Sequence, residues 1–174
     1  MNILELFKPI KLIVMDVDGV LTDGKLILLD SLELARTMSI RDGYAMQLAV
    51  KKGYNLMVIS GAVDGGAVSN RLKNLGVHEV YQGVTDKASL LKDKIASLHL
   101  NNEQVLYIGD DIPDLEAMKL VGLACCPADA VQEIQAVSKY ISSYKGGEGC
   151  VRDIIEKVMK LNQHWDVNSD TVAK

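Results

Sequence analysis

The stretch LIVMDVDGVLTD, residues 12–23, joins four apolar residues directly to a segment that contains three aspartates and a glycine. A short, uniformly apolar run is typical of a strand that is buried on both faces of a parallel sheet. Ligands of open parallel sheets bind beyond the carboxyl ends of the strands, where Asp16 and Asp18 would stand. The stretch therefore predicts chemistry at the end of a first strand, although an Asp-rich turn with a glycine at positive φ would also explain it.

The rest of the chain alternates short apolar runs with longer segments in which apolar residues recur every three or four positions. This alternation is typical of an α/β fold, a three-layer Rossmann-like arrangement of a parallel sheet between helices. The predicted strands are 12–15, 56–60, 80–81, 105–108 and 123–125, and the predicted helices are 44–52, 68–75, 88–98, 115–120 and 151–161. Residues 25–39 differ, since two strand-like pieces around a polar turn at 30–31 predict a β-hairpin.

The composition predicts one domain, 1–161, followed by a polar, flexible tail at 162–174. The 174 residues are 48% hydrophobic, and 19 Lys and Arg against 23 Asp and Glu give a net charge of −4. This balance lacks the broad basic field that binding to nucleic acid or to an anionic membrane requires. An odd number of cysteines without metal-ligand spacing, and the lack of an apolar run of about 18 residues, favour a cytoplasmic protein.

Polar side chains also follow the other predicted strands. Ser60 and Gly61 end the second apolar run, Lys87 opens the helix after the third, and the segment GDDIPD at 109–114 follows the fourth. Each has an ordinary explanation: a capping hydroxyl, a solvated lysine and an acidic helix N-terminus. Four such coincidences at neighbouring strand ends are less plausible than a single site.

A crevice lined by several carboxylates needs a cation, and hard oxygen ligands favour Mg²⁺. Magnesium keeps several waters and accepts few protein ligands, which suits a bridging substrate phosphate. A carboxylate can attack phosphorus to form an aspartyl-phosphate, and a second carboxylate nearby can protonate the leaving oxygen. The predicted chemistry is therefore magnesium-assisted phosphoryl transfer.

This arrangement resembles the haloacid dehalogenase superfamily of phosphotransferases. DVDGVLTD is similar to its first motif, Ser60 to the second, Lys87 to the third and GDDIPD to the fourth, in the family's order. The resemblance implies the following roles: Asp16 as nucleophile, Asp18 as general acid/base, Ser60 and Lys87 on the phosphoryl oxygens, Asp16, Asp110 and the Asp18 carbonyl as Mg²⁺ ligands, and Asp111 and Asp114 as supporting residues.

Lys87 follows Ser60 by only 27 positions, which leaves no room for a cap domain there. The chain resembles the capless 3-deoxy-D-manno-octulosonate 8-phosphate (KDO 8-phosphate) phosphatases over about residues 10–160, notably in SIRDGY at 39–44 and GGEGCVRD at 146–153. That resemblance implies a sugar phosphate substrate from lipopolysaccharide precursor synthesis and a homotetramer joined by its hairpins. The predicted substrate-binding residues are Gly61, Arg41, Arg71, Gly147 and Glu148.

Other functions remain open at this point. A phosphatase for a nine-carbon 2-keto sugar acid 9-phosphate would use the same mechanism with a different distal pocket, and Ala62 argues against it. A phospho-acceptor receiver module has a similar sheet and similar residue types, but it places its acidic pair first and its accepting aspartate later, the opposite of the order here. A non-catalytic relative retained for binding is a third possibility, yet every motif carboxylate is present.

Overall fold

The computed structural model describes residues 2–30, 34–63 and 66–166. Its centre is a six-stranded parallel sheet in the order β5-β4-β1-β6-β7-β8, and the remaining two strands form a separate antiparallel pair. The strands are β1 Leu12–Met15, β2 Ile27–Leu28, β3 Leu34–Ala35, β4 Asn55–Ile59, β5 Glu79–Tyr81, β6 Val105–Ile108, β7 Leu123–Cys126 and β8 Tyr140–Ile141. The helices are α1 Ile40–Lys51, α2 Ala67–Asn74, α3 Lys87–Ser97, α4 Leu115–Met118, α5 Gln132–Val137 and α6 Cys150–Leu161. The predicted fold class is confirmed.

Both faces of the sheet are covered, and successive strand residues pack into different cores. In β1, Ile13 and Met15 belong to the core under α1, α2 and α6, whereas Leu12 and Val14 belong to the core under α3, α4 and α5. Side chains alternate between faces along a strand, so a strand between two helical layers must be apolar at every position. This explains why the first strand is a continuous apolar run.

The strand order reverses beside β1. The chain pairs β4 and then β5 on one side of β1, and it places β6 on the other side, with Met15 opposite Ile108. Crevices for ligands form at such a switch point, beyond the carboxyl ends of the strands. The segments that follow β1 and β6 therefore face each other, which brings the two aspartate-rich motifs together.

The segment between Ser60 and Lys87 is short, as predicted. Within the described part of this segment, which lacks residues 64–65, the regular elements are α2 and β5. The hairpin after the first motif is also present, but its paired strands are shorter than predicted. Ile27 pairs with Ala35 and Leu28 with Leu34. Residues 31–33, which include the second residue of the predicted turn at 30–31, lie outside the described residues.

Two elements, α5 and β8, were missed by the sequence prediction. Only Ile134 of α5 is fully buried, so the helix has no long apolar stripe. Strand β8 is a two-residue edge strand. Helix α1 begins at Ile40, before the predicted residue 44, because the Ser39 side chain accepts a hydrogen bond from the N–H of Asp42 and caps the helix.

The predicted tail at 162–174 is described only in its first part. Asn162 donates to the carbonyl of Val158, and the ring of Trp165 lies edge-on to Tyr44 at 6.3 Å between centroids. Residues 167–174 lie outside the described residues. In the described ranges, none of the helices has both the length and the apolar character needed to cross a membrane.

Asp42 links α1 to α6, and its burial predicts a pH-dependent stability. The carboxylate accepts the N–H of Arg152 at 2.7 Å, and burial, opposed by that bond, raises the pKa of Asp42 from 3.8 to about 6. Because the folded state holds this proton more tightly, the associated stabilisation is complete below pH 4 and is lost as the pH rises through 6. In urea titrations, the free energy of unfolding of Asp42→Asn minus that of the wild type should grow by about 2–3 kcal/mol between pH 4 and pH 7.

The matched control for this prediction is Asp93→Asn, which changes an exposed carboxylate on α3. The difference between that variant and the wild type should stay within about 0.5 kcal/mol at both pH values. A difference for Asp42→Asn that does not change with pH would contradict the prediction.

Candidate active site

Asp16 directly follows β1 and is held by contacts with β6, with the next residue of its own loop and with Lys87. Its N–H donates to the carbonyl of Ile108 on β6 at 3.1 Å, and its Oδ1 accepts the N–H of Val17 at 2.7 Å. Its other oxygen, Oδ2, lies 3.0 Å from Nζ of Lys87. The carboxylate is buried and has one oxygen fixed by the backbone, as a nucleophile with a defined direction of attack requires.

The loop after Asp16 requires glycine at position 19. Gly19 has φ +85°, and a Cβ there would lie only 1.9 Å from Oδ2 of Asp110. The N–H groups of Gly19 and Gly24 both point to Oγ1 of the buried Thr22, each at 3.3 Å. The first motif thus folds into a tight loop over which the carboxylate of Asp110 can lie.

Asp114 is the buried acceptor around which the fourth motif is organised. Its Oδ1 accepts from Nζ of Lys87 at 2.7 Å and from the hydroxyl of Tyr107 at 2.8 Å. Its Oδ2 accepts the N–H of Asp110 at 3.1 Å. Since both oxygens are already used by protein donors, Asp114 suits the predicted supporting role.

Lys87 is a buried cation between two carboxylates. It opens α3 and reaches Asp16 and Asp114. Burial alone would lower the pKa of Lys87, but the two carboxylates raise it above its ordinary value, so the side chain stays charged. A fixed ammonium group beside the predicted nucleophile can stabilise negative charge that develops on a transferring phosphoryl group.

The carboxylates of Asp16 and Asp110 are held together at an electrostatic cost. Burial, with the charge of Asp114 next in importance, raises the pKa of each from 3.8 to about 7, while Lys87 lowers both. Single carboxylate oxygens of Asp16, Asp110 and Asp114 all lie within 4.8 Å of one another. Such a cluster is stable with bound protons or with a bound cation.

The residues present fit a divalent cation. Oδ1 of Asp110 is buried and has no hydrogen-bond partner among the described residues. Burying an acceptor oxygen without a hydrogen-bond donor costs free energy, and a metal ion bound to that oxygen would offset the cost. The residues that would hold Mg²⁺ are Asp16, Asp110 and, as the resemblance implies, the carbonyl of Asp18. When bound, the ion would neutralise the carboxylates and polarise phosphoryl oxygens.

Comparison with known proteins agrees with this geometry. The family model described as haloacid dehalogenase-like hydrolase matches residues 67–154. The KdsC protein of Yersinia pestis, a 3-deoxy-D-manno-octulosonate 8-phosphate phosphatase, is 33% identical over 150 residues, which cover 86% of this chain and 80% of that protein. The chain belongs to the haloacid dehalogenase-like hydrolases. The KdsC protein of Escherichia coli K12, also a 3-deoxy-D-manno-octulosonate 8-phosphate phosphatase, is 32% identical to this hydrolase over 150 residues, which cover 86% of this chain and 79% of that protein.

Solved structures of phosphatases are also similar to this hydrolase over most of its length. The Yersinia pestis phosphatase superposes on this hydrolase with a TM-score of 0.89 at 30% identity, covering 93% of this chain and 87% of the other. The Moraxella catarrhalis 3-deoxy-D-manno-octulosonate 8-phosphate phosphatase, solved with magnesium, phosphate and KDO, has a TM-score of 0.87 at 34% identity, with 91% of each chain covered. The fold of these phosphatases therefore extends over nearly the whole of this hydrolase.

Ser60 directly follows β4, the strand beside β1, which is where the second motif was predicted. It is buried, its N–H donates to the carbonyl of Tyr81, and its Oγ accepts the N–H of Ala62 at 3.1 Å. The hydroxyl proton remains available for a phosphoryl oxygen, because an acceptor role does not use it. Gly61 follows in an exposed position.

The glycine-rich segment before α6 packs directly on the first loop of this hydrolase. The N–H of Gly147 donates to the carbonyl of Val20 at 3.0 Å. A Cβ at Gly146 would lie 1.9 Å from the carbonyl oxygen of Gly19, so only glycine permits this approach. The structure thus brings the predicted residue Gly147 to the edge of the site.

The other predicted substrate-binding residues lie on α1, on α2 and beside α6. Arg41 and Glu148 line a groove of about 380 Å³ together with Arg152. The guanidinium group of Arg71 reaches Gly43 on α1, where a Cβ would lie 3.0 Å from its Nη2. Their role in substrate binding stays a prediction.

Asp111 is exposed and its Oδ1 accepts the N–H of Ile112, so it caps the turn before α4.

Sequence reasoning missed two polar side chains at the site. Tyr107 is hidden in the apolar run of β6, although its hydroxyl bonds Asp114, and burial followed by that carboxylate raises its pKa. Arg36 follows the short strand β3, and its guanidinium bonds Asp18. A tyrosine inside an otherwise aliphatic strand and a lone arginine in an apolar hairpin were the available signals.

Proposed function

We propose that this hydrolase is a Mg²⁺-dependent phosphatase that releases phosphate from KDO 8-phosphate in lipopolysaccharide precursor synthesis. The observation that carries the proposal is the extended match to a phosphatase structure that contains magnesium, phosphate and KDO. The cluster of Asp16, Asp110 and Lys87 supports it, because it combines a nucleophile, cation ligands and a fixed positive charge.

The proposed reaction has two halves. An oxygen of Asp16 attacks phosphorus and forms the aspartyl-phosphate, while the bond from phosphorus to the sugar oxygen breaks and Asp18 donates a proton to that oxygen. Water then attacks the phosphorus of the aspartyl-phosphate, Asp18 accepts its proton, and phosphate leaves Asp16 as a free carboxylate. Lys87 and Ser60 bind the phosphoryl oxygens in both halves.

The substrate is tested by measuring phosphate release with Mg²⁺ and with a chelator. The kcat/KM values for KDO 8-phosphate, 2-keto-3-deoxynononate 9-phosphate and N-acetylneuraminate 9-phosphate are compared. We expect a Mg²⁺-dependent preference for the eight-carbon ester. A preference for a nine-carbon ester would retain the mechanism and overturn the substrate assignment, and phosphate release unaffected by the chelator would overturn the role of the metal.

The receiver-module hypothesis is excluded by the family to which the chain belongs.

We also propose that the hydrolase is a cytoplasmic homotetramer. Its three cysteines are free thiols buried in the core, which suits a reducing compartment. Several large apolar side chains of the hairpin are exposed: Leu26, Ile27, Leu28, Leu29 and Leu34. A short hairpin with open edges and an apolar surface is protected by pairing with other copies, and a ring of hairpins would bury these side chains.

Among the apolar hairpin residues that the structure describes, Leu28 is the most exposed, at 77%. Burying a leucine contributes about 1.5–3 kcal/mol per copy, so Leu28→Lys should dissociate the assembly into smaller species. Sedimentation velocity measures this directly. The control is Leu4→Lys, which adds the same charge at an exposed leucine on the N-terminal turn. Equal masses for Leu28→Lys, Leu4→Lys and the wild type would contradict the proposed role of the hairpin.

A further inference from the structure

Arg36 is a buried cation whose guanidinium group is joined to the carboxylate of Asp18. Its Nε donates to Oδ1 at 2.6 Å and its Nη2 donates to Oδ2 at 3.3 Å. The side chain of Arg36 is only 8% exposed, whereas that of Asp18 is 36% exposed. A planar guanidinium that bonds both oxygens fixes the plane of a carboxylate as well as its position.

The backbone around Arg36 is anchored to the first loop. Thr22 and Met38 form an isolated antiparallel bridge, and the next pairing along the hairpin joins Ile27 to Ala35. Between these two pairings, four residues on one side (23–26) stand opposite two on the other (36–37). Thr22 also accepts the N–H groups of the glycines in the loop. The same threonine therefore fixes both the loop that carries Asp18 and the segment after β3 that carries Arg36.

We propose that Arg36 is a positioning residue that orients Asp18 for proton transfer. The inference rests on the proposed function, in which Asp18 donates a proton to the leaving oxygen and later accepts one from water. Asp18 is half-exposed on a loop, so its carboxylate needs a partner that prevents rotation away from the ester oxygen. Misplacing a catalytic group by about 1 Å can cost about 10²-fold in rate.

The test uses the dependence of the rate on the leaving group. A sugar alkoxide must be protonated as it leaves, whereas p-nitrophenolate leaves without a proton. The kcat/KM value reports the steps up to formation of the aspartyl-phosphate, so it isolates the donation of the proton. For Arg36→Met we expect kcat/KM to fall about 100-fold with the sugar phosphate and less than about 5-fold with p-nitrophenyl phosphate.

Two further variants separate positioning from other roles. Arg36→Lys keeps the charge without the bidentate fork, and we expect it to recover about 10-fold of the loss on the sugar phosphate. Lys25→Met removes an exposed cation from the same hairpin and should leave both esters unaffected. An equal loss of kcat/KM on the two esters, or a rise in KM for the sugar phosphate with unchanged kcat, would overturn the proposal.

A double-mutant cycle with Asp18→Asn gives an independent test and uses Arg36→Lys if Arg36→Met does not fold. If Arg36 acts through Asp18, its replacement should cost less than about 3-fold in kcat/KM once Asp18 is an amide. Additive losses would show that Arg36 acts elsewhere. The outcome is separable from the substrate assignment, because any alkyl phosphate that the enzyme hydrolyses can replace KDO 8-phosphate in the comparison.

Discussion

Replacing Asp16 with asparagine is expected to lower phosphate release by at least about 10⁴-fold, because an amide neither attacks phosphorus nor balances the charge of a divalent cation. The fold should survive, since Oδ1 of the asparagine can still accept the N–H of Val17. The substitution also removes a buried carboxylate that neighbouring carboxylates repel. Burial, followed by the charge of Asp114, raises the pKa of Asp16 to about 7 in the wild type. The measurement is steady-state phosphate release, with circular dichroism to verify folding.

The control for Asp16→Asn is Asp93→Asn, the same chemical change at an exposed position on α3. Its turnover should equal that of the wild type. A stronger check is the trapped intermediate: denaturing the enzyme in acid during turnover with radiolabelled phosphate ester should leave label on the wild type and on Asp93→Asn. Label or turnover retained by Asp16→Asn would transfer the role of nucleophile to another residue.

Lys87→Met should damage both catalysis and stability. The lysine is the cation that Asp16 and Asp114 share at 3.0 and 2.7 Å. Removing one partner from a buried ion pair costs about 3–5 kcal/mol, because the remaining charges lose their compensation. In a chelator, the free energy of unfolding should fall by about that amount. We expect kcat to fall about 10²–10³-fold, as for the loss of one donor to developing negative charge.

The stability of Lys87→Met should depend on pH and on Mg²⁺ in defined directions. Without the lysine, the pKa values of Asp16 and Asp110 should rise above about 7, because Lys87 lowers both in the wild type. A raised pKa in the folded state means that stability is lost as the pH increases, so the deficit should be larger at pH 8 than at pH 6. Mg²⁺ should reduce the deficit by binding the folded state.

Lys92→Met is the matched control for this variant, since Lys92 is an exposed lysine on the same helix. Urea titrations at pH 6 and pH 8, each with chelator and with Mg²⁺, should find it within about 0.5 kcal/mol of the wild type. If Lys87→Met unfolds at the same urea concentration as Lys92→Met in the chelator, Lys87 does not provide the compensating charge.

The parts of the fold that were predicted share a dense local signal. Strands β1 and β6 were predicted at their observed bounds because every residue in them faces a core. The missed elements, α5 and β8, are short and lie at or near the edge of the sheet. Their few buried residues acquire a partner only when β7 is already in place, so their own sequence contains little periodicity.

The site shows the same division. The carboxylates that follow β1 and β6 were expected to meet, since both strands end at the same edge of a parallel sheet. The partner of Asp18 was not expected, because Arg36 is 18 positions away and reaches it through the hairpin. The grouping of Lys87 with Asp114 and Tyr107 depends on side-chain directions that three separate elements set only after they pack.

The sequence by itself determined the α/β fold, the order of the motifs and the residue types of the site, because apolar periodicity and strand-end chemistry are local properties of the chain. The tertiary structure decided which carboxylate oxygens already accept hydrogen bonds, which have no partner among the described residues and which cation bonds Asp18. Those properties depend on distances of about 3 Å between segments remote in sequence, and on burial that converts weak aqueous charge interactions into strong ones.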